Sequence, residues 1–577
     1  MIFDSLKIAA SSLQAQQKAM NVVSNNISNA NTPGYSKQTA TLATMTPDTI
    51  AGLSFGRGVN VASVNRIVDP VINNALLDNG AQKGYWTTVN NGLNAVQNVF
   101  GSLQNTGLAA SLNDFFLSWQ QLANNPLDNG QKFNVLAKSD TLATNLINMN
   151  SQLTTAQTSA NTQIDTQIQQ ANLYIDTIAL QTTQISQLES GQQGAVGAAN
   201  DLRDQRDQTV RNLSALIPVK QIATQDGGLL LQTASGDLLA QDGVANHIAR
   251  GTAAANGFGG LVIANTGQPI KDPGQGGGSI GGLIQLRDNN LGSYLQQINS
   301  IAANLAFSVN QIHASATSGT AKAAMTAGQT VNATLPLNDP GQVAPFAAKI
   351  QTGSFQIHVY DATGAATPAG GTSIPVTAGV TTMNDIVTSL NAVAGVTASI
   401  DATGHLNITA AAGNTIAMSN DTSNVLAAYE VNTFFTGSTA ATIGVAADIK
   451  ANPASIATGR VDPLTSALST ADNSASIAIM QLQNQAISVD GSTSASLNDR
   501  STNVSTQYGS DVATSLQQLQ YRTAESDSLT AQQQAISGVN TDEELVAMIQ
   551  FQRAYEASAK VITTTNTMLD SLMGLIR

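Results

Sequence analysis

The chain is 577 residues long, more than one hydrophobic core usually serves, so several domains are expected. Hydrophobic residues reach 42%, enough for globular folding, but aromatics are only 4% and charged residues 11%, leaving a surface of Asn, Gln, Ser and Thr suited to packing against copies of itself. A net charge of −13, with no Lys/Arg-rich run to track phosphates, argues against nucleic acid, and the absence of cysteine removes disulfides, thiol nucleophiles and cysteine metal sites.

At the N-terminal end, residues 1–7 lack the basic segment and apolar stretch of a secretory signal, and no apolar run in the chain approaches ~18 residues, so neither Sec-type export nor membrane insertion is expected. Leu6, Leu13, Met20 and Ile27 then recur every seven residues, with Ile2, Ala9 and Val23 beside them, which predicts a helix with a coiled-coil seam. The helix should end in the run Asn25-Asn26-Ile27-Ser28-Asn29-Ala30-Asn31-Thr32-Pro33-Gly34-Tyr35. Asn tolerates the left-handed conformation that closes helices, Pro33 cannot continue one, and Pro-Gly favours a type II turn, leaving Tyr35 to start an extended arm. Residues 1–66 are therefore read as a terminal coiled-coil helix and arm.

A helical core domain is expected in three parts, 67–217, 280–318 and 464–539. Ile164, Ile168, Ala171, Ile175, Ile178 and Ile185 hold a four-three spacing in the first, and Leu291, Leu295, Ile298, Ala302, Leu305, Val309 and Ile312 in the second. Asp201, Arg203, Asp204 and Arg206 read as exposed ion pairs on one helix. Two β-rich inserts interrupt the core. In 218–279 the turns Asp226-Gly227-Gly228 and Ser235-Gly236 separate short apolar strands, and a glycine-rich hinge near residues 274–282 leads back to helix. In 319–463, an outer domain, Phe355, Ile357 and Val359 alternate, and residues 380–409 read as a helix, a strand, the turn Ala402-Thr403-Gly404 and a returning strand.

The final segment, 540–577, repeats the opening pattern. Met548, Tyr555, Ile562, Leu569 and Ile576 recur every seven residues, interleaved with Leu545, Ala559 and Met573, behind a capping box predicted from Thr541 and Glu544. The fold class expected is thus mainly α with β-rich inserts: a discontinuous multidomain chain with a terminal-helix coiled coil, a long α-helical bundle and outer β-rich domains. Five large side chains on the C-terminal stripe contribute on the order of 7 to 15 kcal/mol if buried, against roughly 1 to 2 kcal/mol for ordering each residue. Both termini are therefore expected to fluctuate in a monomer and to order when neighbouring subunits cover them.

The segment Asn25 to Tyr35, with Asn26, Asn29, Asn31, Thr32, Pro33 and Gly34 after a heptad helix, resembles the N-terminal motif of flagellar rod, hook and hook-associated proteins. The run from Ser537 through Phe551-Gln552-Arg553-Ala554-Tyr555 to Ile562 is similar to that family's C-terminal end. The long coils, together with Asn200 to Asp207 and Gln481-Leu482-Gln483-Asn484, resemble the hook-associated members, and residues 380–409 resemble a small module of filament and hook-associated proteins. The resemblance implies a structural subunit of the bacterial flagellum at the junction of hook and filament, assembling through its N- and C-terminal helices into a homo-oligomeric ring. It further implies as partners the hook protein, a second hook-associated junction protein and a flagellar export chaperone, and an extracellular location reached by the flagellar type III system without a cleaved signal peptide. Hook or distal rod subunits are the alternative within the family.

Outside it, an adhesin or a cell-wall hydrolase would need other features. His247, His313, His358 and His405 are widely spaced, with no His-Glu-x-x-His pair, and read as surface or capping residues. There is no nucleophile elbow, and the Gly276 to Ser279 run lacks the Lys of a phosphate loop. No catalytic residue, cofactor or metal is expected.

Overall fold

Helical periodicity governs most of the chain, and the computed structural model describes residues 2–50, 53–100, 107–190, 199–224, 228–254, 257–271, 277–489 and 491–575. In chain order the helices are α1 (Ile2–Asn29), α2 (Pro70–Ala95), α3 (Leu108–Asn124), α4 (Asn129–Glu189), α5 (Asn200–Leu216), α6 (Gly278–Ile284), α7 (Leu291–His313), α8 (Met383–Asn391), α9 (Val425–Ala428), α10 (Ala447–Ala451), α11 (Ser474–Gln481), α12 (Leu497–Ser537) and α13 (Thr541–Leu575). A π-helical segment, Gln285–Asn290, joins α6 to α7. Mainly α with small β-sheets is therefore the observed class. No described helix is long and apolar enough to cross a membrane.

The chain forms two compact units, one of Met1–Gly92, Ser159–Asp288 and Ala513–Arg577, the other of Leu93–Thr158 and Asn289–Val512. In the first unit α1 pairs with α13 and with an arm, strands Gln38–Thr44 and Val59–Arg66, which run antiparallel in the register Gln38↔Arg66 to Thr44↔Val59. A small hairpin in the arm sets Asp48 opposite Phe55. The isoleucines on α4 at 164, 168, 175, 178 and 185, and Ala171, are all buried, so the four-three spacing marks a packed face. Beside them lies a four-stranded antiparallel sheet built from Val219–Ala223, Leu229–Thr233, Leu238–Gln241 and Val244–Ala245, with Leu231 and Leu239 inside. The Ser235-Gly236 turn is present, Gly236 taking φ +96. Residues 225–227 and 274–276, where a second turn and the hinge were expected, lie largely outside the described residues.

In the second unit α7 is buried on every side from Ile301 to Asn310. Such a helix belongs inside a core rather than on its surface. Its two asparagines are satisfied: Asn304 donates to Ser300 O at 2.7 Å and accepts from the Val489 amide at 2.8 Å, and Asn310 accepts from the Phe434 and Phe435 amides at 3.1 and 2.8 Å and donates to Phe435 O at 2.8 Å. Two three-stranded sheets complete this unit, one ordered Ala324–Thr330, His405–Ala410, Val396–Ile400 and the other Thr372–Val376, Gly353–Tyr360, Thr415–Ser419. The helix, strand, turn and strand expected over residues 380–409 are all present. Thr382 and Asp385 cap α8 reciprocally, and the Asp401 carboxylate closes the turn by accepting from the Thr403 and His405 amides.

Three sequence readings need correction. His358 is fully buried, its ring nitrogens 2.7 Å from Ser466 Oγ and 2.7 Å from Ser419 Oγ, because the loop around Ser466 covers the strand face that alternation alone leaves open. His313 is also buried: its Nδ1 donates to Asn432 O (2.9 Å) and its Nε2 accepts from Ala457 N (3.2 Å), and burial pushes the imidazole down to about 4. Thr541 does not form the capping box. Asn540 caps α13 by accepting from the Asp542 amide at 3.0 Å, which leaves Glu544 free for another partner.

Candidate assembly interface

The stripes on α1 and α13 meet in an antiparallel pair. Ser12 Oγ lies 2.8 Å from Ser558 Oγ near the middle, and Asn26 Nδ2 donates to Glu544 Oε2 at 2.8 Å near one end. On α1 the small residues Ala9, Ala15 and Ala19, with Val23, are fully buried, while Leu6, Leu13, Met20 and Ile27 flank them half-buried. Small residues at the contact let the helix axes approach closely. On α13 Met548, Ala559, Ile562 and Leu569 are half-buried, whereas Leu545, Tyr555 and Met573 are exposed; Ile576 lies outside the described residues. Val546, Ile549, Val561, Met568 and Leu572 are exposed as well. Apolar side chains thus surround α13, and α1 covers one side.

The Asn-rich run does more than stop a helix. Asn29 closes α1 by donating to Asn25 O and to Asn25 Oδ1 (3.1 and 2.8 Å), and Thr32 Oγ1 donates to Asn29 Oδ1 at 3.2 Å. Tyr35 N then donates to Thr32 O at 3.1 Å with Gly34 at φ +84, the type II turn that Pro33-Gly34 calls for; Asn31 is exposed.

Asn26 is the hub. Its Nδ2 donates to Gln38 O and to Glu544 (both 2.8 Å), and its Oδ1 accepts from Tyr35 OH at 2.8 Å and Gln38 N at 3.0 Å. Two donors and two acceptors are all used, so no isosteric apolar residue could serve. Glu544, 4% exposed, is also held by Lys37 Nζ at 3.1 Å, and Lys37 N donates to Ser537 O at 2.8 Å, which ties the arm to the turn before α13. Although partial burial opposes it, Glu544 and Glu543 hold the Lys37 ammonium above its ordinary pKa. Burial, with the Asp201, Asp204 and Glu544 carboxylates, pushes the Tyr35 phenol up strongly, so it stays a neutral donor.

A second layer comes from α5. Asp204 accepts from Ser36 N and Ser36 Oγ (2.9 and 2.8 Å) and pairs with Arg66 at 2.5 Å, while Asp201 accepts from Gln38 Nε2 at 2.8 Å. Arg203 pairs with Glu189, and Arg66 also reaches Asp207 at 3.0 Å. Asp204 and Arg206 are buried, so the reading of this cluster as exposed ion pairs is also wrong. Burial raises the Asp204 carboxyl in spite of Arg66, and lowers Arg206 to about 10. Lys37, Gln38, Arg66 and the α5 carboxylates were missed as members of the site. The signal was a dense run of charges, Asp201 to Asp207, in a chain with only 11% charged residues. Among the described residues no group of His, Asp or Glu is arranged to hold a metal ion.

Comparison with known proteins agrees with this layout. Residues 93–325 match the model of the flagellar hook-associated protein FlgK helical domain, and 354–412 the flagellin hook IN motif. Residues 6–35 match the flagella basal body rod protein model and 532–575 the flagellar basal body rod FlgEFG protein C-terminal model, so both fall on the paired termini. Flagellar hook-associated protein 1 of Salmonella typhimurium is 28% identical over 587 residues, covering 98% of this chain and 99% of its own length. The Escherichia coli (strain K12) protein of that name is 28% identical over 579 residues, covering 98% of each. The structure of the flagellar hook junction protein FlgK from Burkholderia pseudomallei shares the fold, with a TM-score of 0.53 at 18% identity, over 80% of this chain and all of that one. Both termini, the helical domain and the whole length thus agree with flagellar hook-associated protein 1, to which this chain is similar from end to end.

Proposed function

We propose that this chain is the structural subunit joining hook to filament, and that copies associate side by side through α1 and α13 into a ring whose terminal helices line the central channel. One observation carries the reading: α13 bears apolar side chains all round yet is covered by its own chain on one side, while the Asn26 hub fixes α1, arm and α13 as one presented surface. A helix apolar on all sides is stable only when enclosed, and neighbouring copies supply what the chain lacks. Ordering of the termini then accompanies assembly, and limited proteolysis should clip both ends of the monomer while sparing them in intact flagella.

On the same reading the hook protein lies on one side and a second hook-associated junction protein on the other, with delivery by flagellar type III export and a dedicated chaperone. The family is one of structural flagellar proteins, and the task of this chain is mechanical: it adapts a flexible element to a stiffer one. Electron microscopy of a strain lacking the chain tests the proposal. Hooks without filaments, with flagellin lost to the medium, support it; missing hooks would point to a hook or rod subunit, and normal filaments would overturn it.

A further inference from the structure

The α1/α13 pair is unequal in length. The contacts Ser12 with Ser558 and Asn26 with Glu544 set a register in which opposed residue numbers add to 570, so Met568 stands opposite the first residue of α1 and the helical residues 569–575 run on past it. Burial marks the place where cover ends. Thr565, on the α1 side of α13, is 7% exposed, yet Leu572, one heptad further on the same side, is 44% exposed, and Met568 is exposed with it. The overhang is an apolar knob set that the chain leaves bare.

A matching recess lies on another side of α1. Ser11, next to the Ser12 that faces α13, instead accepts from the Val59 amide of the arm at 3.4 Å. Between this face of α1 and the small hairpin of the arm is a cleft of about 180 Å³ lined by Lys7, Ile8, Met45, Phe55 and Arg57 among others. That is below the roughly 300 Å³ of small-molecule sites and of a size to take side-chain knobs. Ile8 and Phe55 are exposed at it, with Phe3 exposed on the same end of α1.

We infer that the overhang of α13, with Met568 and Leu572, seats in the cleft between α1 and the arm hairpin of a second copy. Its own chain cannot fill the cleft: Ile8 and Ser11 stand opposite residues near 562 and 559 in the α1/α13 register, and α13 stays helical to Leu575 with no turn to bring it back. The cleft is balanced in charge, Lys7 and Arg57 against Asp4 and Asp48, with Arg57 paired to Asp48 at 3.4 Å, so the apolar side chains Ile8 and Phe55 are what it offers to Met568 and Leu572. Knob and cleft are different surfaces, so the contact is head-to-tail and propagates from copy to copy, as a ring or helical array requires. This rests on the assembly reading above and adds to it the direction and the residues of one contact.

Because the chain has no cysteine, disulfide trapping has no background. Flagella from a strain carrying the Phe55→Cys/Leu572→Cys chain should, on mild oxidation, give a ladder of covalent oligomers, at least about tenfold above either single variant, since neither surface meets itself. Intact filaments without such a ladder, or equal dimer from Leu572→Cys alone, overturn the contact and leave the junction role standing. Filaments grown by a strain lacking the chain overturn the junction role instead. If the double variant is not exported, the purified single variants mixed at high concentration give the same readout: mixed dimers should exceed homodimers at least about tenfold, and statistical proportions overturn the contact.

Discussion

Helices α7 and α13 carry apolar residues at the same seven-residue spacing, but the chain encloses only α7. From Ile301 to Asn310 every residue of α7 is buried, with Asn304 and Asn310 hydrogen-bonded inside, whereas α13 leaves Val546, Ile549, Val561, Met568 and Leu572 open to solvent. The same pattern therefore serves two ends. In α7 it completes a core, and in α13 it advertises one that is unfinished. What distinguishes them is the supply of apolar surface elsewhere in the fold, which sheets and short helices provide around α7 and, among the described residues, chiefly α1 provides along α13.

The contrast can be broken most violently in α7. Leu305→Asp buries a charge without a partner and should cost more than about 4 kcal/mol, abolishing the cooperative thermal transition of its unit. A variant that kept that transition within a few degrees would show that α7 is not enclosed.

Acid should weaken the same unit next. Burial holds His313 at about 4 against 6.5 in the open chain, so the folded state binds fewer protons between those values. The stability held by its neutral ring is fully present above about pH 6.5 and is lost as pH falls toward 4, by about 1.4 kcal/mol for each unit of the window. His313→Asn should flatten that part of the stability profile, and parallel profiles for the two proteins would contradict neutral burial.

Asn26→Ala is expected to cost about 2 to 3 kcal/mol locally, because Glu544, Tyr35 and the Gln38 amide all lose a partner. Amide hydrogen exchange across the first turns of α13 should speed up while α7 is unchanged. Equal protection in both proteins would remove Asn26 from its place as the hub.

Much of this was legible in the sequence because period and punctuation are local. The isoleucines of α4, the Pro33-Gly34 turn and the strand-turn-strand around Gly404 follow from residues within a few positions of each other. What stayed hidden depends on distant chain. Nothing near His358 says that Ser466 will cover it, and nothing in the α5 run says that Asp204 will meet Ser36 and Arg66. Glu544 shows the limit most clearly. Its spacing from Thr541 suits a capping box, but Asn540 already caps the helix, and the carboxylate serves the other end of the chain instead.

The smallest expected effect on the monomer is also the sharpest test of the account. Ile549→Asp replaces a residue of α13 that is 51% exposed, so the purified variant should unfold within about 0.5 kcal/mol of the native chain. In a strain lacking the native chain it should nevertheless leave hooks without filaments, because a charge would then be driven into the surface that a neighbouring copy covers. Hooks bearing full-length filaments with that variant at the junction would contradict the claim that the bare sides of α13 are where copies meet.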